Sequence, residues 1–288
     1  MRVTSATIIT PCLDAEALVR RTAESIMAQT AVRAGRVRLQ YLVCDGGSRD
    51  GTLDVVREVC GDAADVRSAR DAGMYDALAS GLRRAEGDVI AYLNAGDVYD
   101  PAALDVVADI LETGSSRWVT GRVVMQDAAG TVLLDALPFR YRRELLVKGL
   151  YGTGWLPFFV QQESTFFARS LLPHVDLDAL SRFRLAGDAF LWSSLARFED
   201  LTVVDARLGA FTVHPGQKSE DRGGYRRELR MAGAAPTIPD LARALAERVL
   251  WHAPARARRR WAPPRQAAEV ARGRPRPELR PGPPRAQP

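Results

Sequence analysis

The first hundred residues alternate short apolar runs with stretches of helical periodicity, and this alternation restricts the chain to an α/β architecture with a mostly parallel sheet. Thr7 to Thr10 reads as the first strand, ended by Pro11, and Ala15 to Gln29 as a helix with Leu18, Thr22, Ile26 and Met27 on one face. Leu39 to Cys44 is the second strand, closed by the turn Asp45-Gly46-Gly47-Ser48, and Asp50 can cap a helix through Cys60. A third strand (Ala64 to Ala69), a helix (Met74 to Ala85) and a fourth strand (Asp88 to Leu93) follow. Right-handed crossovers place the turns after these strands along one edge of the sheet.

Beyond this unit the pattern gives a helix from Pro101 to about Thr113 and a hairpin over Trp118 to Leu134 around Asp127-Ala128-Ala129-Gly130. A loop-rich stretch from Pro138 to Pro157, a helix at Asp188 and a last helix from Asp240 to Trp251 come next. The reading divides the chain into one domain over 1–236, with halves 1–100 and 101–236, an amphipathic helix over 237–252 and a disordered tail over 253–288. Charge sharpens that division. The chain carries +5, but ten arginines and two glutamates give the tail +8, so the residues before it sum to −3. An acidic body and a tail whose only aromatic is Trp261 make nucleic acid the poorest fit as a partner. Attraction of the tail to an anionic membrane fits better, because Leu241, Leu245, Val249, Leu250 and Trp251 can form an apolar face ahead of it; plain solvated disorder is the simpler reading.

Cys12, Cys44 and Cys60 are odd in number and lack metal-ligand spacing, which points to a reducing compartment. There is no basic n-region followed by an apolar run and no stretch of about 18 apolar residues. The expectation is a cytoplasmic protein, at most peripheral on the inner membrane face.

Three strands each deliver an acid to one sheet edge: Asp14 after the first, Asp45 at the end of the second, Asp97 after the fourth. Acids there can bind ribose hydroxyls, a base N–H, or a divalent metal that neutralises a diphosphate. Four blocks carry these residues, namely Thr10-Pro11-Cys12-Leu13-Asp14-Ala15-Glu16, Val43-Cys44-Asp45-Gly46-Gly47-Ser48-Arg49-Asp50-Gly51-Thr52, Arg70-Asp71-Ala72-Gly73-Met74-Tyr75-Asp76-Ala77 and Leu93-Asn94-Ala95-Gly96-Asp97. In this order and spacing they resemble the signature blocks of family 2 glycosyltransferases, with the greatest likeness to bacterial exopolysaccharide and colanic-acid enzymes. The segments from Val160 to Arg169, Leu185 to Trp192 and Phe211 to Ser219 resemble the acceptor, catalytic and closing blocks, so the likeness spans roughly Thr4 to Leu229.

The resemblance implies a GT-A fold and inverting transfer from a nucleotide-diphosphate sugar, in particular a UDP-sugar, to a hydroxyl of a saccharide or lipid-linked acceptor. It assigns Pro11, Asp14, Asp45, Arg70, Asp71 and Asn94 to the nucleotide, Asp97 and His214 to a divalent metal (Mg or Mn), Gln161, Gln162 and Glu163 to the acceptor, and Asp188 to the general base. Each residue also has a plainer reading. Asp14 and Asp188 can cap helices, Arg70 and Asp71 can form a surface ion pair, and His214 can be structural. The three residues from Gln161 can satisfy buried backbone, and Trp155 and Trp192 can be core rather than sugar platforms. Asn94 and Gly96 replace acids of the family's metal motif, and Gly46 stands where a second acid is frequent. A non-catalytic nucleotide-sugar-binding module therefore stays open. A dinucleotide-dependent oxidoreductase is disfavoured, because Thr10-Pro11-Cys12-Leu13-Asp14 occupies the place of a Gly-rich phosphate loop.

Overall fold

The computed structural model describes residues 2–138, 140–152, 159–214, 217, 221–251 and 267–268. The four expected strands are present as β1 (Ser5–Cys12), β2 (Arg38–Asp45), β3 (Ala64–Ser68) and β4 (Val89–Tyr92), paired in parallel in the order β4-β1-β2-β3. Helices α1 (Glu16–Met27), α2 (Thr30–Arg33), α3 (Thr52–Cys60) and α4 (Met74–Arg83) lie in their connections. The chain continues through β5 (Val98–Tyr99), α5 (Ala103–Glu112), β6 (Trp118–Thr120), β7 (Val123–Gln126), β8 (Val132–Ala136) and α6 (Arg143–Val147). It then forms β9 (Thr165–Ala168), α7 (Leu177–Leu180), α8 (Gly187–Ala196), β10 (Thr202–Val204) and β11 (Gly209–Thr212). The last elements are α9 (Arg222–Met231), α10 (Ile238–Trp251) and β12 (Ala267–Ala268).

The main sheet has the order β12-β10-β6-β9-β4-β1-β2-β3, with β9 antiparallel to both β4 and β6. A second sheet, β5-β11-β7-β8, stands beside it. Successive residues of a strand point to opposite faces, and here both faces are covered. Ile9, Leu42, Ile90 and Phe167 join Leu78 of α4, Leu145 of α6 and Leu191 of α8 in one core. Their neighbours Ile8, Val43, Ala91 and Phe166 join Val19 of α1, Val56 of α3 and Val107 of α5 in the other. This double burial is why the strands read as continuous apolar runs.

Three local expectations change. Pro11 does not end β1: the strand runs on to Cys12, with Pro11 opposite Cys44. Ile9 bonds toward β4 through its carbonyl, so Pro11, two residues on, turns its missing N–H to that side, where β4 has already ended. The expected hairpin is split, since Trp118–Thr120 belongs to the main sheet and only β7 and β8 pair around the Asp127 turn. The loop-rich stretch contains α6, whose Leu145 and Leu146 are buried. Trp155 and, apart from β12, the expected disordered tail lie outside the described residues.

Close approach of β11 to the turn before β9 fixes the position of Glu163. A Cβ at Gly209 would overlap the Glu163 carbonyl. Gly209→Ala is therefore expected to destabilise the fold by about 1–3 kcal/mol through overpacking, read as a lower urea midpoint with an unchanged slope.

Candidate functional site

The loops after β1 and β2 are tied to each other by reciprocal hydrogen bonds. Asp14 N–H donates to Ser48 Oγ (2.8 Å) and Arg49 N–H to Asp14 Oδ1 (2.8 Å). One turn on, Ala15 N–H donates to Thr52 Oγ1 (2.7 Å), Glu16 N–H to Asp50 Oδ2 (3.0 Å) and Gly51 N–H to Glu16 Oε2 (3.0 Å). Asp14 holds a left-handed backbone with φ 47°, unusual for a residue other than glycine. It does not cap α1, whose N-cap Ala15 makes no side-chain bond. Asp50, one residue before the α3 N-cap, takes the Thr52 N–H at 3.1 Å.

Asp45 ends β2 with its carboxylate turned inward. It accepts from Gly47 N–H (3.1 Å), Ser48 N–H (3.0 Å), the Ser68 hydroxyl (2.5 Å), the Ser48 hydroxyl and the Cys12 thiol (3.8 Å). Burial alone would raise its pKa, but the bonds from Ser48, Ser68 and Gly47 outweigh that and hold it below the ordinary 3.8. A carboxylate has about four acceptor positions, so the protein itself uses those of Asp45. The sequence assignment of Asp45 to direct base contact meets this obstacle. Asp71 supplies an alternative: its Oδ2 lies 2.9 Å from where a Gly46 Cβ would stand, and its Oδ1 accepts Gly73 N–H at 2.9 Å. An acid at position 46 would collide with Asp71. Arg70 beside it is exposed.

After β4, Asn94 donates to Gln162 Oε1 at 3.2 Å, while its own Oδ1 is buried with no hydrogen-bond partner among the described residues. Gly96 has φ 105°, a conformation that an acid there would adopt only under strain. Asp97, 5 % exposed, accepts Thr212 N–H from β11 at 2.8 Å and hydrogen-bonds Glu163. Burial first, and the neighbouring carboxylate second, push Asp97 well up; burial also raises Glu163. His214 follows two residues after Thr212, its N–H bonded to Gln217 Oε1 at 3.3 Å.

Gln161 and Gln162 differ from their acceptor assignment. Gln161 makes two 2.7 Å bonds to the main chain of Val124, and Gln162 donates to the Tyr92 carbonyl, so both serve buried backbone. Among the described residues no group of three or more His, Cys, Asp and Glu side chains is arranged to hold a metal. The chemistry of the donor set still suits magnesium or manganese: Asn94 Oδ1 is an open oxygen acceptor beside Asp97, and such ions commonly complete their shell with substrate phosphate oxygens.

Asp188 lies in the first turn of α8. Its Oδ1 accepts the Tyr225 hydroxyl (2.8 Å) and Ala189 N–H (2.8 Å), and burial raises its pKa against these bonds. It is not an N-cap, because Ala186 occupies that position. Tyr75 packs against Gly187, where a Cβ would come within 2.5 Å of its ring. From α9, Glu228 accepts the N–H groups of Arg184 (3.1 Å), Leu185 (2.9 Å) and Ala186 (2.9 Å), fixing the entry to α8. The Asp188 charge adds to the raising of Glu163. Tyr225 and Glu228 are absent from the sequence reading; their partners lie about forty residues away, and no local pattern signals them. Trp192 is core, stacked between Tyr92 and Trp118.

The profile described as Glycosyl transferase family 2 matches residues 7–166. The chain belongs to the family 2 glycosyltransferases. An uncharacterized glycosyltransferase of Mycobacterium tuberculosis is 31% identical over 180 residues, which cover 59% of this chain and 60% of that one. The chain thus spans about 60% of the length of this curated relative. Among solved structures, S. aureus TarS 1-349 in complex with UDP-GlcNAc superposes with a TM-score of 0.60 at 16% identity, covering 86% of this chain and 72% of that one. Glucosyl-3-phosphoglycerate synthase from Mycobacterium tuberculosis, in complex with Mn2+, UDP and phosphoglyceric acid, gives 0.50 at 17% identity, covering 80% and 77%. At these identities the likeness is one of fold, and the expected GT-A α/β architecture of this family 2 chain is borne out.

Asp45 can be tested as a structural carboxylate. Its folded pKa lies below the ordinary value, so its contribution is present above that value and is lost as pH falls through the folded pKa. Asp45→Asn should cost about 1.5–3 kcal/mol at pH 7, the range for hydrogen bonds to a charged group. The gap to the parent protein should narrow in urea titrations as the pH is lowered through the carboxylate range.

Proposed function

We propose that the chain transfers a sugar, with inversion, from a UDP-sugar to a hydroxyl of a saccharide or lipid-linked saccharide. The observation that carries this reading is Asp188, a carboxylate of raised basicity held in one orientation near the strand-edge acids. The nucleotide complexes of TarS and the phosphoglycerate synthase support the donor class. In this reading the donor half is 1–100 and the acceptor half 101–236, with a peripheral position on the cytoplasmic membrane face. No helix among the described residues is long and apolar enough to cross a membrane.

The nucleotide lies over Pro11, Asp14, Arg70 and Asp71, with Asp71 in the recognition role that the saturated Asp45 leaves open. Asp188 takes the proton from the acceptor hydroxyl as its oxygen attacks the anomeric carbon. The bond from that carbon to the diphosphate breaks on the opposite side, and nucleoside diphosphate departs. Asn94 Oδ1 and Asp97, with His214 as a further candidate, are the residues that would hold a divalent ion, whose chemistry is to offset charge on the departing diphosphate. Glu163 keeps Asp97 in place on the acceptor side.

Asp188→Asn should lower kcat by about a hundredfold or more, the range for a positioned base, with donor affinity retained in calorimetry. Normal turnover would remove the base assignment. Tyr225→Phe deletes a donor that stabilises ionised Asp188, so the acid limb of the kcat/KM profile should move to higher pH. A uniform loss at every pH would mean that Tyr225 is only structural. Full activity in excess chelator would exclude a metal at Asp97.

A further inference from the structure

Helix α10 is oriented opposite to an ordinary surface helix. Its acids face the body: Asp240 bonds Lys148 Nζ through both oxygens at 2.8 Å, and Glu247 accepts Arg142 Nε at 2.7 Å. Ala244 between them is fully buried, and Leu241 packs against the core. Lys148 and Thr237 hold Asp240 down at about 2, so the pairing persists at neutral pH. Three large apolar residues of the helix face outward. Ile238 is 82% exposed, Leu245 45% and Val249 72%. At 100° per residue these three fall within about 40° of one another. Met231, at the end of α9, is 87% exposed.

This differs from the apolar face expected from the sequence, since Leu241 points inward and Ile238 joins the stripe. Apolar residues aligned on the outside of a helix whose acids are spent inside mark a surface that meets a nonpolar phase. The surrounding charge decides which one. A groove of about 280 Å³ between α9 and α10 is lined by Arg226, Leu229 and Arg230 of α9 and by Ile238 and Leu241 of α10. On the side of the stripe away from Leu241, the exposed Ala242 and Ala246 carry no charge, and Arg243 beyond them reaches Glu144 at 3.6 Å. The tail that follows α10 in sequence carries +8. Apolar residues backed by arginines match the interface of an anionic bilayer, where lipid phosphates meet acyl chains.

We propose that the outer face of α10, with Met231 and the Arg226–Arg230 side of the groove, is the surface through which the protein lies on an anionic membrane. This builds on the peripheral position assumed above, but its test reads lipid binding and not transfer. The full chain is sedimented with phosphatidylcholine vesicles, with and without phosphatidylglycerol, alongside Ile238→Ser/Leu245→Ser/Val249→Ser and Arg230→Gln. The parent should bind only the anionic vesicles, the triple variant about tenfold less, as expected when an interfacial apolar face is removed, and Arg230→Gln severalfold less. Melting temperature and donor binding of both variants should match the parent. Equal vesicle binding by the triple variant would assign any attraction to the tail and overturn the proposal. So would no binding by the parent, or a parent dimer in light scattering that the triple variant dissolves. Loss of transfer with vesicle binding intact would instead count against the catalytic reading alone.

Discussion

The edge of the sheet at the ends of β1, β2 and β3 depends on one buried carboxylate. Asp45 gathers donors from its own turn, from β3 through Ser68 and from β1 through Cys12, so three strand ends are fixed by a single side chain. Burial and the Asp45 charge push the Cys12 thiol up, which keeps it protonated and able to donate. The same turn presents Ser48 and Arg49 to Asp14, and so carries the order outward to the β1 loop. A rigid edge of this kind loses little entropy when a nucleotide binds. The consequence is that an inaccessible acid builds this edge while Asp14 and Arg70 beside it stay exposed.

A second buried set of acids follows the opposite logic. Asp97 and Glu163 come from separate elements, face each other with few compensating donors, and are raised rather than lowered. Their environment is made by β11, whose Thr212 N–H reaches Asp97, and by Gln161 and Gln162, which lock the turn carrying Glu163 to Val124 and Tyr92. The glutamines thus act on the site at one remove. Burial dominates there and raises both carboxyls, whereas the donors gathered around Asp45 outweigh its burial and lower it.

The sheet was legible because its strands, buried on both faces, read as short continuous apolar runs, while its helices, buried on one face, keep a period of 3.6. Placement of Asp14, Asp45 and Asp97 at one edge followed from the same order. Contacts between distant segments were not legible: Asp97 with Glu163, Asp188 with Tyr225, and Glu228 with the loop before α8 join residues tens of positions apart. Pro11 misled because its meaning depends on which neighbouring strand has ended. In α10 the expected apolar face included Leu241, which packs inward, and omitted Ile238, which is exposed, while the side chains of Leu250 and Trp251 lie outside the described residues; periodicity cannot say which face turns inward when ion pairs to Lys148 and Arg142 compete with apolar burial.

Two glycines that thin the family's acidic motifs have physical reasons in this fold. At position 46 the space for a side chain is taken by Asp71, so a carboxylate remains at that spot although it comes from the loop after β3. At position 96 the backbone turns through φ 105°, and the turn brings Asp97 back beneath β11, where Thr212 can bind it. An acid at 96 would strain the turn that positions the acid at 97. The loss of formal charge along the sequence is therefore not an equal loss at the site. A carboxylate from Asp71 lies in the space beside position 46, whereas positions 94 and 96 both give up charge, and Asn94 keeps an oxygen with no hydrogen-bond partner among the described residues.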